Sequence, residues 1–164
     1  MKTFRLITAA LVSALAAVLV GTALGAGAVT KPVAFNASFN GKAVVRVAGD
    51  KADITSAQAT GTGTPIGKAT LTGKGSGTQA DPCPLWGGPG TISASGGKIN
   101  FSISGGSACT DEGAQDFSVT ARAKLTGGTG KYAKAKGSLK ITGTYNRGTG
   151  LFSVKFKGTF TVRP

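Results

Sequence analysis

The segment Gly127-Gly128-Thr129-Gly130-Lys131-Tyr132 has the residue types that cradle phosphate. Successive glycine amides can converge on an anion, and a lysine beside them can neutralise it. The spacing decides against a nucleotide. A Gly-x-x-x-x-Gly-Lys-Ser/Thr loop needs glycine at 125 and a hydroxyl at 132 in helical context, whereas the chain has Leu125 and Tyr132. The dinucleotide pattern Gly-x-Gly-x-x-Gly fails at Ala133, and no strand–helix–strand unit surrounds it. The structural reading is a corner. Three glycines in four residues open backbone conformations closed to other residues. Residues 131–136 then have room for one or two helical turns, with Tyr132 and Ala135 spaced to plug the end of a barrel.

Other chemistry is scarce. The chain has no histidine, so neither a Ser-His-Asp nor a Cys-His arrangement can be built. Asp50 and Asp53 flank a turn, where Asp bonds to its own backbone. Asp111, Glu112 and Asp116 cluster in a loop without the spacing of a calcium loop. Asp116, beside Phe117, is the best acid for a two-carboxylate mechanism, and it lacks a partner at a set distance. No catalytic residue, metal site or cofactor is expected. Cys83 and Cys109 form an even pair in a chain that reads as exported, which predicts one disulfide. Two cysteines without histidine do not make a zinc site.

Two sets of side chains remain as binding candidates. Trp86, Tyr132 and Tyr145 pair an apolar body with a polar tip and suit contact with a small ligand. Arg122, Lys124, Lys140, Lys155 and Lys157 fall on outward faces by alternation, in a chain of formal net charge +13. Such a face attracts anionic polymers. No aromatics interleave with these cations, so nucleic acid is not an expected partner.

The elements that must position these residues read as strands. Lys2 and Arg5, an apolar run over 6–20 and Ala26-Gly27-Ala28 predict a signal peptide at 1–28, with a single domain at 29–164. A retained anchor would still place the domain outside the cytoplasm. The 27 glycines are scattered between short apolar runs, as in a sandwich or barrel. Val33, Phe35, Ala37 and Phe39 alternate with polar residues. Asn40-Gly41 reads as a turn, followed by Ala43, Val45 and Val47. Gly49-Asp50-Lys51 turns again before Ala52 and Ile54. Residues 59–67 read as a loop, 68–74 as a weak strand, and 75–90 as the longest irregular segment. A Gly96-Gly97 hairpin would pair Ala94 with Ile99 and Ile92 with Phe101, bringing Cys83 nearly opposite Cys109. Residues 105–115 read as a loop. Phe117, Val119, Ala121, Ala123 and Leu125 then alternate cleanly. A turn at Asn146-Arg147-Gly148-Thr149 would set Ile141 against Val154, Leu139 against Phe156, and Lys140 against Lys155. The sum is an all-β protein, an antiparallel up-and-down barrel of about eight strands whose interior is either filled or open to one small ligand.

The order GGTG, basic residue, aromatic, then Ala135 and Gly137 resembles the motif of the allene oxide cyclase and dirigent barrel group. The flanking GTPIGKATLTGKGSG, ISASGGKINFSI and GTGLFSVKFKGTFTV are similar to a secreted bacterial branch with a calycin-like barrel. The resemblance implies an eight-stranded barrel with an apolar interior, and it gives Gly127, Gly128, Thr129, Gly130, Tyr132, Ala135 and Gly137 an architectural role. Dirigent relatives guide radical coupling without oxidising anything, and cyclase relatives close an epoxide in an apolar pocket. The leading expectation is a secreted, non-enzymatic protein holding a small apolar ligand in its barrel. The alternatives are a binder of anionic polysaccharide or another cell-envelope polymer, and an isomerase of the allene oxide cyclase type. The sequence leaves the oligomeric state open.

Overall fold

A computed structural model describes residues 31–79 and 82–162; the expected signal peptide at 1–28 lies outside them. Eight strands follow in order: β1 Val33–Ala48, β2 Lys51–Thr64, β3 Gly67–Thr78, β4 Leu85–Ala94, β5 Gly97–Cys109, β6 Asp116–Gly128, β7 Lys136–Asn146 and β8 Leu151–Thr161. Each pairs antiparallel with its sequence neighbours, and β8 pairs back onto β1 to close an up-and-down barrel. The alternation that predicts strands is the one that fills the interior. In β6, Phe117, Val119, Ala121, Ala123 and Leu125 are buried while the residues between them are exposed.

The two ends differ because the size of the inward side chains changes along the axis. At one end the chain turns at 65–66, 95–96 and 129–135. Phe35, Phe39, Phe101, Phe156 and Phe160 fill that half. Their rings meet edge to face, Phe35 with Phe160 at 5.8 Å, Phe39 with Phe156 at 5.7 Å and Phe101 with Phe156 at 5.5 Å, the arrangement the ring quadrupoles favour. Ile66 from one turn and Tyr132 and Ala135 from another seal this closed end. Toward the other end, at turns 49–50, 110–115 and 147–150, many inward positions hold smaller side chains, Ala43, Val45, Ala52, Ile54, Ala57 and Val119 among them.

The glycine-rich stretches depart most from their sequence reading. Asn40-Gly41 does not turn; β1 runs through it, with Gly41 opposite Ala59 on β2 and Phe152 on β8. Residues 59–64 are strand, not loop. A side chain at Gly61 would stand 2.7 Å from Cδ1 of Phe39, so the glycine makes room for the ring. Much of segment 75–90 is strand, with β3 running to Thr78 and β4 starting at Leu85, and β5 extends through 105–109. Both predicted hairpin registers slide by two residues. The first turn is Ser95-Gly96, pairing Ala94 with Gly97 and Ile92 with Ile99. The last turn starts one residue late, because the Asn146 side-chain oxygen accepts from Thr149 N at 2.9 Å and its carbonyl from Gly150 N at 2.8 Å. Ile141 therefore faces Phe156, and Lys140 faces Lys157 in place of Lys155.

Candidate functional site: an apolar cavity at the open end

The GGTG corner is architectural. Two amides of this corner are already engaged: Thr129 N donates to Lys98 O at 2.9 Å and Lys131 N to Gly96 O at 3.0 Å. The Thr129 hydroxyl accepts from Lys98 N at 3.1 Å. Gly130 has φ +57°, and a side chain there would strike the carbonyl of Gly96. This corner locks the plug segment onto the β4–β5 hairpin. The 3-10 turn Gly130–Tyr132 then delivers Tyr132 into the core, its ring 6.2 Å from that of Phe160. Tyr132 thus lies at the closed end and does not line the cavity, unlike the other two ligand candidates. Its hydroxyl is buried without a hydrogen-bond partner.

Small inward residues leave the open half of the barrel unfilled. A cavity of about 280 Å³ is lined by Val45, Ile54, Leu71, Ile103, Val119 and Val154, with Trp86 and Tyr145 among its walls. Ligand pockets begin near roughly 300 Å³, and an apolar cavity of about 150 Å³ takes up benzene. Phe156 closes its floor on the aromatic half. Phe117 and Phe152, which could have filled the interior, stand near the mouth instead, in one row with Tyr145: Phe117 faces Tyr145, which faces Phe152. At the mouth Val47 is 53 % and Leu85 54 % exposed, an apolar rim open to solvent.

The polar groups of the site are few. Arg147 holds its guanidinium 5.3 Å over the ring of Phe117, a cation–π placement at the rim. Burial pushes the Tyr145 phenol above the ordinary tyrosine range, while the Arg147 charge pulls it the other way. Burial dominates because phenolate is penalised in an apolar wall. The Trp86 indole N–H is shielded from solvent and has no partner among the described residues. Among the described residues no carboxylate lines the cavity. Asp116, the best candidate acid, sits exposed and accepts from Asn146 Nδ2 at 2.8 Å. Among the described residues no group of three or more His, Cys, Asp or Glu is gathered for a metal.

Cys83 and Cys109 are joined as expected. They face each other with Cα atoms 4.0 Å apart, between the bonds Ala108 N to Pro84 O and Thr110 N to Pro82 O. That is a non-hydrogen-bonded cross-strand pair. The disulfide ties the end of β5 to the segment carrying Pro84, Leu85 and Trp86, all of which line the cavity. Arg122, Lys124, Lys140, Lys155 and Lys157 are exposed on the outer faces of β6, β7 and β8, away from the cavity.

Sequence reasoning missed Arg147, Phe117, Val47 and Leu85. The signal for the cavity itself was the run of small inward residues on β1 and β2 toward the open end, Ala43, Val45, Ala52 and Ala57, opposite aromatics that stand only near the mouth. Comparison with protein-family models, with curated proteins and with solved structures finds no match to this chain.

Proposed function

We propose that this protein holds one small, mainly apolar molecule in the open half of its barrel, outside the cytoplasm, and performs no chemistry on it. The observation that carries the reading is the asymmetry of the interior. One half is packed and plugged, while the other encloses a cavity with apolar walls, aliphatic and aromatic, and opens through an apolar rim. Apolar surface facing a water-accessible space is a standing cost that an apolar ligand removes. An acceptor on that ligand would meet Arg147 and the Tyr145 hydroxyl at the mouth. With no histidine in the chain and no carboxylate among the described lining residues, the walls offer shape and a few donors, which suits sheltering better than proton transfer. The reading keeps the sequence's resemblance to dirigent and allene oxide cyclase barrels as a scaffold only. The disulfide supports an oxidising compartment.

The test is titration of the oxidised protein with an environment-sensitive apolar dye. Saturable uptake at one site per chain is expected, lost in Val45→Phe and Val119→Phe, which fill the cavity, and kept in Tyr132→Phe at the closed end. Absence of uptake by the folded protein, or uptake indifferent to both filling variants, overturns the proposal.

A further inference from the structure

The outer face of β6, β7 and β8 gathers positive charge in a way a sheet does not sustain without reason. Lys140 lies directly opposite Arg122 on β6 and Lys157 on β8. Lys124 faces Ser138, and Lys155 faces Thr142, so both are diagonal neighbours of Lys140. Directly opposed residues stand about 5 Å apart and diagonal ones about 7–8 Å, and like charges so placed repel. Four cations therefore surround Lys140.

Among the described residues no carboxylate relieves them. Asp50, Asp53, Asp111, Glu112 and Asp116 all belong to the open end of the barrel. The one on this wall, Asp116, is six positions from Arg122 along β6, about 20 Å at strand rise. That is some two screening lengths at physiological salt. The wall is bordered by Asn36 and Ser38 on β1 and Ser102 on β5.

The residues between the cations identify the partner. Thr120, Ser138, Thr142, Ser153 and Thr159 occupy the outward positions around them. No apolar side chain points outward within the cluster, as insertion into a lipid interface would require. No aromatic is present to stack on bases. Fixed cations interleaved with hydroxyls match a chain that alternates carboxylates with sugar hydroxyls.

We infer that the β6–β8 wall binds a linear acidic polysaccharide, with Lys140 at the centre of the contact. It is independent of the cavity and leaves the mouth free.

The experiment uses the oxidised protein and polygalacturonic acid as probe, with dextran, single-stranded poly(dT) and vesicles of mixed neutral and anionic lipid in parallel. Polygalacturonate binding is expected to weaken about tenfold in Lys140→Glu and less in Lys140→Ser. It should change by less than about twofold in Lys98→Glu, a charge change of the same size on β5. Lys140→Glu should melt no lower than the parent, because it places opposite charges across from Arg122 and Lys157. Loss of binding without loss of stability supports the inference. Equal weakening in Lys98→Glu, equal binding of dextran, preference for poly(dT) or vesicles, or no binding of polygalacturonate overturns it.

Discussion

The indole of Trp86 occupies the space that a side chain at Gly106 would need. A Cβ on Gly106 would stand 2.7 Å from Cε2 and 2.8 Å from Nε1 of Trp86, with the Ala121 methyl 3.1 Å away. Trp86 on β4 and Gly106 on β5 are cross-strand partners, so the glycine lets the largest side chain of the cavity wall lie against the barrel.

Gly106→Ala should therefore displace the indole. The chain has one tryptophan, so its emission reports on this site alone. A shift in the emission maximum is expected, together with a stability loss of about 1–3 kcal/mol from overpacking, read from the urea midpoint. Weaker dye uptake should accompany both.

At the closed end, the buried Tyr132 hydroxyl lacks a partner, and an unpaired buried hydroxyl costs about 1–3 kcal/mol. Tyr132→Phe should leave stability unchanged or raise it. Tyr132→Ala should cost about 3–5 kcal/mol through loss of the plug. Chemical denaturation of the two variants checks this, and a destabilised Tyr132→Phe would mean that the hydroxyl is satisfied in solution.

Tyr145 should make the protein less stable in alkali. Its folded-state pKa is raised by burial, so the folded state favours the neutral phenol. Its contribution to stability is present below the ordinary tyrosine value and is lost as pH rises through the raised one. In Tyr132→Phe, where Tyr145 is the remaining tyrosine, ultraviolet absorbance should show ionisation above the ordinary range. Arg147→Ala should move it further up, since the guanidinium charge opposes the effect of burial.

Replacing Cys83 and Cys109 by serine should cost about 3–4 kcal/mol for a cross-link spanning 26 positions. Because the tie anchors a cavity wall, dye affinity should fall at temperatures well below the melting transition. Calorimetry and dye titration on the same sample separate the two effects.

The period-two pattern made the strands legible, and with them the barrel. It fixes which face a side chain takes, not its partner. Both hairpins slid by two residues, a displacement that leaves Ile92, Phe101, Ile141 and Phe156 facing inward. Turn chemistry sets that remainder, and it lay in details such as the Asn146 cap. The run 59–64 was opaque for another reason. Gly61 and Gly63 carry no apolar signal, and their role exists only against Phe39 and Ala37 on the neighbouring strand. Trp86 and Tyr145, singled out by chemical type, line the cavity, while Tyr132, named with them, is buried at the closed end beside Ala135, as their spacing suggests. Whether the interior is full depends on the sum of inward volumes at each height, which no single strand displays. The stacking of Lys140 between Arg122 and Lys157 likewise required the register of three strands at once.

The pairing of β1 with β8 differs in kind from the other seven ladders. Those join consecutive strands, and each can form by local search. The seam sets Val33 against Phe160 and Phe39 against Val154, so almost the whole described chain must be in place before it closes. Contacts so distant in sequence are slow to form, because loop closure precedes any gain. Phe35 and Phe39, which complete the aromatic half from the β1 side, thus couple the last step of assembly to the burial of the core. Conservative truncations at these two positions should speed unfolding more than they slow folding.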